Sequence, residues 1–292
     1  MSNGTPAKPP ADELAKDLKA SLAKRRPRTW KPILAAIVLC SLAMAAMVYW
    51  LLPVKQTPPL QVIALDDVFT PDEKPSVRAQ LLAPSSDEPA PRMRGHDVVF
   101  DDQMNRKIQV LSNDKGQAVA EWPLENTPVA AFFAQYIDAG RRQGSLKESG
   151  RLFIWPKDAS ILFVDADETL LADELDDKAP EALNKAAEDG WRIVYLALGK
   201  PKPHDFRKVH GWLDEQAKLP KGPILGRVHL QAQDSIDAGR REVLQGMKNR
   251  FKGPMLAIVK SADAADSCKD LGVRAIRIGE AATPTWGEVA VK

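Results

Sequence analysis

Residues 161–171, Ile-Leu-Phe-Val-Asp-Ala-Asp-Glu-Thr-Leu-Leu, constrain this chain more than any other stretch. Four apolar residues form a buried-strand pattern that stops abruptly at two carboxylates spaced i, i+2, with Thr169 two further on. Asp165 and Asp167 then leave the carboxyl end of a strand and point into one crevice. That is where an open α/β sheet places its ligand. Two acids this close repel each other unless a cation such as Mg²⁺, or a proton held by one of them, sits between them. Solvated acids in a turn would need neither, but the apolar run, the spacing and the threonine occur together here.

Ile33 to Leu52 is a twenty-residue stretch without a charge, rich in Leu, Ala, Ile, Met and Val. A helix of that length covers the roughly 30 Å hydrocarbon core of a bilayer. Trp30 at one end and Tyr49 and Trp50 at the other stand where interfacial aromatics belong. The sequence therefore predicts one transmembrane helix over 33–52. Lys24, Arg25, Arg26, Arg28 and Lys31 precede it, whereas Lys55 is the only nearby base after it. The positive-inside rule keeps residues 1–32 cytoplasmic and sets everything after Pro53 in a periplasmic or extracellular space. A cleaved signal peptide is the competing reading. The long leader and an apolar core exceeding the usual 7–15 residues argue instead for an uncleaved anchor. Within the leader, Leu14, Leu18 and Leu22 recur at i+4 behind Asp12 and Glu13, which predicts a short helix around 11–25.

The 292 residues suffice for about two domains, and 41 basic against 39 acidic residues leave a net charge of +2. No global field argues for nucleic acid. Cys40 lies in the apolar span and Cys268 near the C-terminus, so no intramolecular disulfide is expected, and neither has metal-site spacing.

Two modules follow Pro53, Pro58 and Pro59. Over 60–138, short alternating runs such as Val77, Ala79 and Leu81 predict a β-sandwich. Asn113-Asp114-Lys115-Gly116 reads as a hairpin turn within it. Residues 140–150, polar and glycine-bearing, read as a linker. From 152 the pattern becomes α/β. Strands are expected at Ile161–Val164, Trp191–Leu196, Pro223–Val228, Met255–Val259 and Val273–Ile278. Helices are expected at Pro180–Asp189, Asp205–Ala217, Asp237–Phe251 and Ala262–Leu271. Such alternation argues for a doubly wound parallel sheet.

The run Asp165-Ala166-Asp167-Glu168-Thr169 resembles the first motif of the haloacid dehalogenase (HAD) superfamily. Gly95-His96-Asp97-Val98-Val99-Phe100 and Val110 to Ala118 look like bacterial immunoglobulin-like surface domains, which would make 60–138 a spacer or docking unit. The HAD resemblance covers about residues 152–280 and implies a Rossmann-like α/β domain over 152–292. It also implies that Asp165 attacks a phosphate as nucleophile and Asp167 shuttles the proton. The family's second motif, a Ser or Thr, falls on Ala197, which has no hydroxyl; Lys200 could supply charge there. For the third, a Lys or Arg, Arg240 or Arg241 fits best, with Lys248 and Lys252 as later candidates. The fourth, a pair of acids completing an Mg²⁺ site with Asp165 and Asp167, meets Lys260-Ser261, with Asp263 and Asp266 beyond. Asp263 is the metal candidate if the turn is shifted; otherwise Asp263 and Asp266 are N-terminal helix residues favoured by the helix dipole.

Neither insertion point leaves room for a cap domain, which implies a large or surface-borne substrate. Lys218-Leu219-Pro220-Lys221-Gly222-Pro223-Ile224-Leu225 resembles a segment of the lipin and phosphatidate-phosphatase branch, implying a lipid phosphate. His204 and His210 flank a helix start after the second strand, where one facing the crevice competes with surface or packing roles; His96 and His229 have no partner at metal-ligand spacing. Two expectations result. One is a membrane-anchored, Mg²⁺-dependent phosphohydrolase acting on phosphomonoesters, including lipid or envelope-borne ones. The other is a catalytically silent HAD-fold module used for binding or envelope assembly. The natural substrate and any protein partner are not legible.

Overall fold

A computed structural model of the chain describes residues 12, 15–17, 19–20, 30–51, 60–82, 94–102, 104, 106–123, 128–138, 143–171, 176–198, 203–226, 235–279 and 284–289. The side chains of 30–33, 45–46, 48–51, 138, 143–144 and 203–208 are outside that description. Two compact units emerge, Met1–Gln56 and Thr57–Lys292.

In the first unit, residues 12, 15–17 and 19–20 are helical, within the stretch expected to form a short helix. Helix α1, Trp30–Leu51, runs 22 residues. Its described side chains, those of 34–44 and Met47, are all exposed. Among the described residues no helix is long and apolar enough to cross a membrane. The predicted span 33–52 falls partly outside the described residues, as do most of 1–32 and the proline-bearing exit 52–59.

The second unit is a mixed α/β structure: a parallel five-stranded sheet beside two largely antiparallel sheets. Its strands begin with β1 (Gln61–Leu65), β2 (Asp67–Phe69), β3 (Ser76–Leu82), β4 (Asp97–Asp101), β5 (Lys107–Leu111), β6 (Gln117–Glu121), β7 (Val129–Asp138), β8 (Gln143–Gly144) and β9 (Glu148–Ile154). One sheet has the order β1-β3-β6, the other β2-β9-β7-β4-β5, with β8 on β7. The period of two turns alternate residues inward. Val62, Ala64, Val77, Ala79, Leu81, Ala118 and Ala120 from the first sheet thus share one core with Val98, Phe100, Phe132, Ala134 and Leu152 from the second.

Two local readings change. The segment 140–150 is not simply a linker: it carries β8 and the start of β9, and β9 pairs antiparallel with β7 from Val129↔Phe153 to Ala134↔Glu148. A polar, glycine-bearing strand lacks the apolar signal of a central strand. Gly150 is required there because a Cβ would lie 2.5 Å from the Phe132 ring opposite. Residues 113–116 do form a tight turn. The Gly116 N–H donates to the Asn113 carbonyl at 2.9 Å, and the Asn113 carboxamide oxygen accepts from the Lys115 and Gln117 N–H groups at 2.9 and 3.0 Å. The turn does not close a hairpin, however, because β5 and β6 belong to different sheets.

The chain then lays down β10 (Ile161–Asp165), α2 (Ala166–Thr169), α3 (Lys178–Glu188), β11 (Arg192–Ala197), α4 (Pro203–Glu215), β12 (Ile224–Gly226), α5 (Ile236–Arg250), β13 (Met255–Val259), α6 (Ala262–Asp270), β14 (Arg274–Arg277) and a 3₁₀ turn at Trp286–Glu288. The sheet order is β12-β11-β10-β13-β14, every pair parallel. Strands buried on both faces explain the near-continuous apolar runs. Leu162, Val164, Ile193, Tyr195 and Ile258 face α3 and α4, packing with Ala179, Leu183, Val209 and Leu213. Ile161, Phe163, Val194, Leu196 and Val259 face α5 and α6, packing with Leu244, Met247, Ala264 and Cys268. The chain crosses from edge strand β12 to β13 over the centre, so strand order reverses between β10 and β13. Asp165 therefore ends the central strand at the switch point, where an open sheet leaves a crevice.

Candidate functional site

Asp165 is the last residue of β10 and the N-cap of the single turn α2. Its Oδ1 accepts from the Glu168 N–H at 3.4 Å, and the Thr169 hydroxyl donates to the Asp165 carbonyl at 2.5 Å. The Asp-x-Asp-x-Thr spacing is thus a device for turning the chain out of the sheet. A short polar side chain satisfies a helix-start N–H, and a hydroxyl four residues on satisfies the strand-end carbonyl.

The other carboxylate oxygen of Asp165 meets a cation. Arg240 Nη2 donates to Oδ2 at 2.7 Å, and both side chains are 1% exposed. Arg240 is delivered by α5, whose start is fixed by Ser235: its hydroxyl accepts from the Ala238 N–H at 3.1 Å. Arg240 Nη1 also donates to Asp237, one turn earlier. Among the described residues its Nε is buried with no hydrogen-bond partner, as is Oε2 of Glu168.

Burial pushes the Asp165 carboxyl up to about 6, against the pull of Arg240; the charges of Glu168 and Asp167 push it the same way as burial. Burial works against the Arg240 charge too, but Asp165, Glu168 and Asp237 hold its pKa above the ordinary value. Cys268, on α6, lies within the field of this pair, and its thiol is raised to about 11, chiefly by burial.

The residues expected from sequence separate into two groups. Asp165, Asp167, Thr169 and Arg240 belong to one locus, with Asp167 and Thr169 half-buried on α2. Arg241 does not join it: exposed, it pairs with Asp270 at 2.7 Å and ties α5 to α6. The reason is helical geometry, since adjacent residues on α5 point about 100° apart. Lys248 donates to the Leu271 carbonyl and caps the end of α6, so it has a separate task. Asp263 is exposed in the first turn of α6, favoured there by the helix dipole. Ser261 caps that helix, accepting from the Ala264 N–H at 3.2 Å. Among the described residues, no three His, Cys, Asp or Glu side chains gather as a group able to hold a metal. One oxygen of Asp165 accepts from Arg240, and Asp263 lies apart from that pair at the start of α6.

Ala197 ends β11 one position beyond Leu196, the partner of Asp165, and is 7% exposed. It offers the crevice a methyl group and no donor. His204 and His229, and Lys200, lie outside the described side chains. His96 packs edge-on against Tyr136 in the sandwich, 5.6 Å between ring centres.

The Leu-Pro-x-Gly-Pro segment has a local structural role. The Tyr195 hydroxyl donates to the Pro220 carbonyl at 2.7 Å, and the Tyr195 N–H donates to the Pro223 carbonyl at 2.9 Å. A Cβ on Gly222 would collide with the Ile193 carbonyl, so the close approach to β11 demands glycine. Sequence reasoning missed Asp237, although its i, i+3 spacing to Arg240 is a readable helical ion pair. It also missed a second buried acid, Asp66, because its partners come from segments up to 158 residues away.

No family model matches the chain, and no curated protein matches it at a significant level. Among solved structures it is similar to a 2,6-sialyltransferase from a Photobacterium species, at 8% identity and a TM-score of 0.22, over 73% of this chain and 41% of that one. It is likewise similar to a β-glucuronidase from Lactobacillus rhamnosus, at 10% identity and a TM-score of 0.30, over 75% of this chain and 43% of the other. A family 39 glycoside hydrolase from Bacteroides cellulosilyticus is similar at 7% identity and a TM-score of 0.24, over 75% and 50% of the two chains. The chain thus spans half or less of the length of each. Likenesses this distant carry no argument about activity, and the geometry at Asp165 has to be read on its own terms.

Proposed function

We propose that this chain is a single-pass membrane protein whose second unit combines an immunoglobulin-like β-sandwich with a capless HAD-like α/β domain. In this reading the α/β domain is catalytically silent and serves as a binding or envelope-scaffold module. The observation that carries the reading is the buried ion pair between Asp165 and Arg240. A carboxylate that attacks phosphorus must be free at one oxygen and must have positive charge arranged around the phosphate, not around itself alone. Here one oxygen of Asp165 is held by the guanidinium and the other caps α2. Ala197 supplies no donor, and absence of one such donor typically costs ~3 kcal/mol of transition-state stabilisation.

Membrane anchoring rests on the uncharged run Ile33 to Leu52, several of whose side chains lie outside the described residues of α1. Leu34, Ile37, Val38, Leu39, Leu42, Met44 and Met47 are all exposed on it, and these positions cover every side of the helix. The positive-inside rule then sets the second unit in a periplasmic or extracellular space.

The second reading is the phosphohydrolase, with Asp165 and Asp167 as nucleophile and acid and Mg²⁺ as cofactor. One observation favours it: the Asp165 carboxyl, raised to about 6, sits where Arg240 could balance a bound phosphate. The two readings differ in a direct assay. Detergent-solubilised full chain is given p-nitrophenyl phosphate and phosphatidate with Mg²⁺, beside Asp165→Asn. The silent module predicts equal, negligible turnover from both. Turnover that vanishes in Asp165→Asn would replace this reading with the phosphohydrolase.

A further inference from the structure

A second buried charge cluster joins the sandwich to the α/β layer, away from Asp165. Asp66, at the corner between β1 and β2, has a side chain that is 0% exposed. It accepts from the Arg151 N–H at 2.8 Å, from Arg151 Nη2 at 3.0 Å and from the Ile224 N–H at 3.0 Å. The last bond caps the outer edge of β12, the edge strand of the parallel sheet. From α4, His210 brings Nε2 to 3.8 Å from Asp66 and Nδ1 to 3.2 Å from Asp214. Arg151 Nη1 closes the ring on Asp214 at 3.1 Å.

We propose that Asp66, Arg151, Asp214 and His210 form a proton-operated clamp that sets how tightly α4 is held against the sandwich. The ring contains two carboxylates, one permanent cation and one imidazole. With His210 protonated, two positive charges face two negative ones. With His210 neutral, the ring carries one uncompensated negative charge in a site where burial disfavours it. Imidazole is the side chain whose charge changes between pH 5 and 8. The described charged or titratable groups facing it are Asp66 from the β1–β2 corner, Arg151 from β9 and Asp214 from its own helix. Burial holds the Tyr195 phenol, on β11, well above its ordinary value against the pull of Arg151, so it stays neutral throughout.

With the imidazole charged, α4 is drawn onto Asp66; without that charge the attraction is gone, while the Asp66 bonds to Arg151 and Ile224 remain. The clamp therefore changes the hold on one helix and not the fold. Since α4 follows the carboxyl end of β11, it is the element through which a pH change reaches the rim of the central crevice.

Hydrogen exchange of the full chain in detergent, read by mass spectrometry at pH 5.5 and 7.5 and corrected for intrinsic rates, tests this. Peptides covering 203–215 are expected to exchange about fivefold more slowly at the lower pH, the size expected for one added ion pair. Peptides covering α6 serve as the reference. In His210→Gln the pH difference on α4 should disappear. Asp214→Asn, at a side chain 38% exposed, keeps the buried bonds of Asp66 and should reduce the difference, so it gives a second reading if the glutamine variant does not fold. An α4 that exchanges identically at both pH values, or a difference that persists in both variants, overturns the clamp.

Discussion

Two buried aspartates in this chain shift in opposite directions, and the difference lies in their partners. Asp66 is buried, which works to raise its pKa, but His210, Arg151 and the Ile224 N–H outweigh burial and hold it below the ordinary value. Asp165 has one guanidinium, while Glu168 and Asp167 add negative charge beside it, so burial prevails and the carboxyl rises to about 6. For Asp165 the folded chain holds the proton more tightly than the unfolded chain. Its contribution to stability is full below pH 3.8 and is lost as pH rises through about 6. Relative to Asp165→Asn, the native chain should lose roughly 3 kcal/mol between pH 4 and 7, read from denaturant unfolding at a series of pH values. Asp66 has the reverse sign: its contribution is present above 3.8 and disappears as the pH falls through its depressed folded value. Asp66→Asn should cost ~3 kcal/mol or more at neutral pH, because Arg151 is left half-paired in a buried site. Asp270→Asn, in the exposed pair with Arg241, should change stability by only about 0.5 kcal/mol.

At the scale of single elements, the helices after β10 are placed by their caps. Ser235 starts α5 and so decides which helical residue reaches Asp165. Ser235→Ala should cost ~1 kcal/mol, measured by thermal unfolding. Gly222 shows the complementary constraint. Its Cβ would meet a backbone carbonyl that cannot move without displacing β11, so Gly222→Ala is expected to cost about 2–3 kcal/mol. The position of these elements was largely legible. Met255–Val259 is a strand as expected, and the four helices begin and end within two residues of their apolar periodicity and glycine stops. What escaped were β8 and β9. Residues 143–144 and 148–150 carry no apolar side chain, and they become strand only because β7 offers a backbone edge to pair with. Pairing is a long-range property that local composition does not encode.

For the molecule as a whole, the proposed anchor has a simple test. Full chain reconstituted with liposomes should sediment with them and resist an alkaline carbonate wash, while detergent should release it. A fragment beginning at Thr57, which corresponds to the second compact unit, should stay in the supernatant. Release of the full chain by carbonate alone would contradict a spanning α1. Hydrophobic periodicity was enough to read the alternating strands and helices from β10 onward and the turn at Asp165. These follow from neighbours along the chain, within reach of one strand or one helical turn. Tertiary structure alone decided that Arg240, not Arg241, pairs with Asp165. It alone sent β5 and β6 to different sheets. It also built the Asp66 ring from residues far apart in sequence. Which charge meets which in a buried site depends on how separate elements pack, and that information is spread over the whole chain.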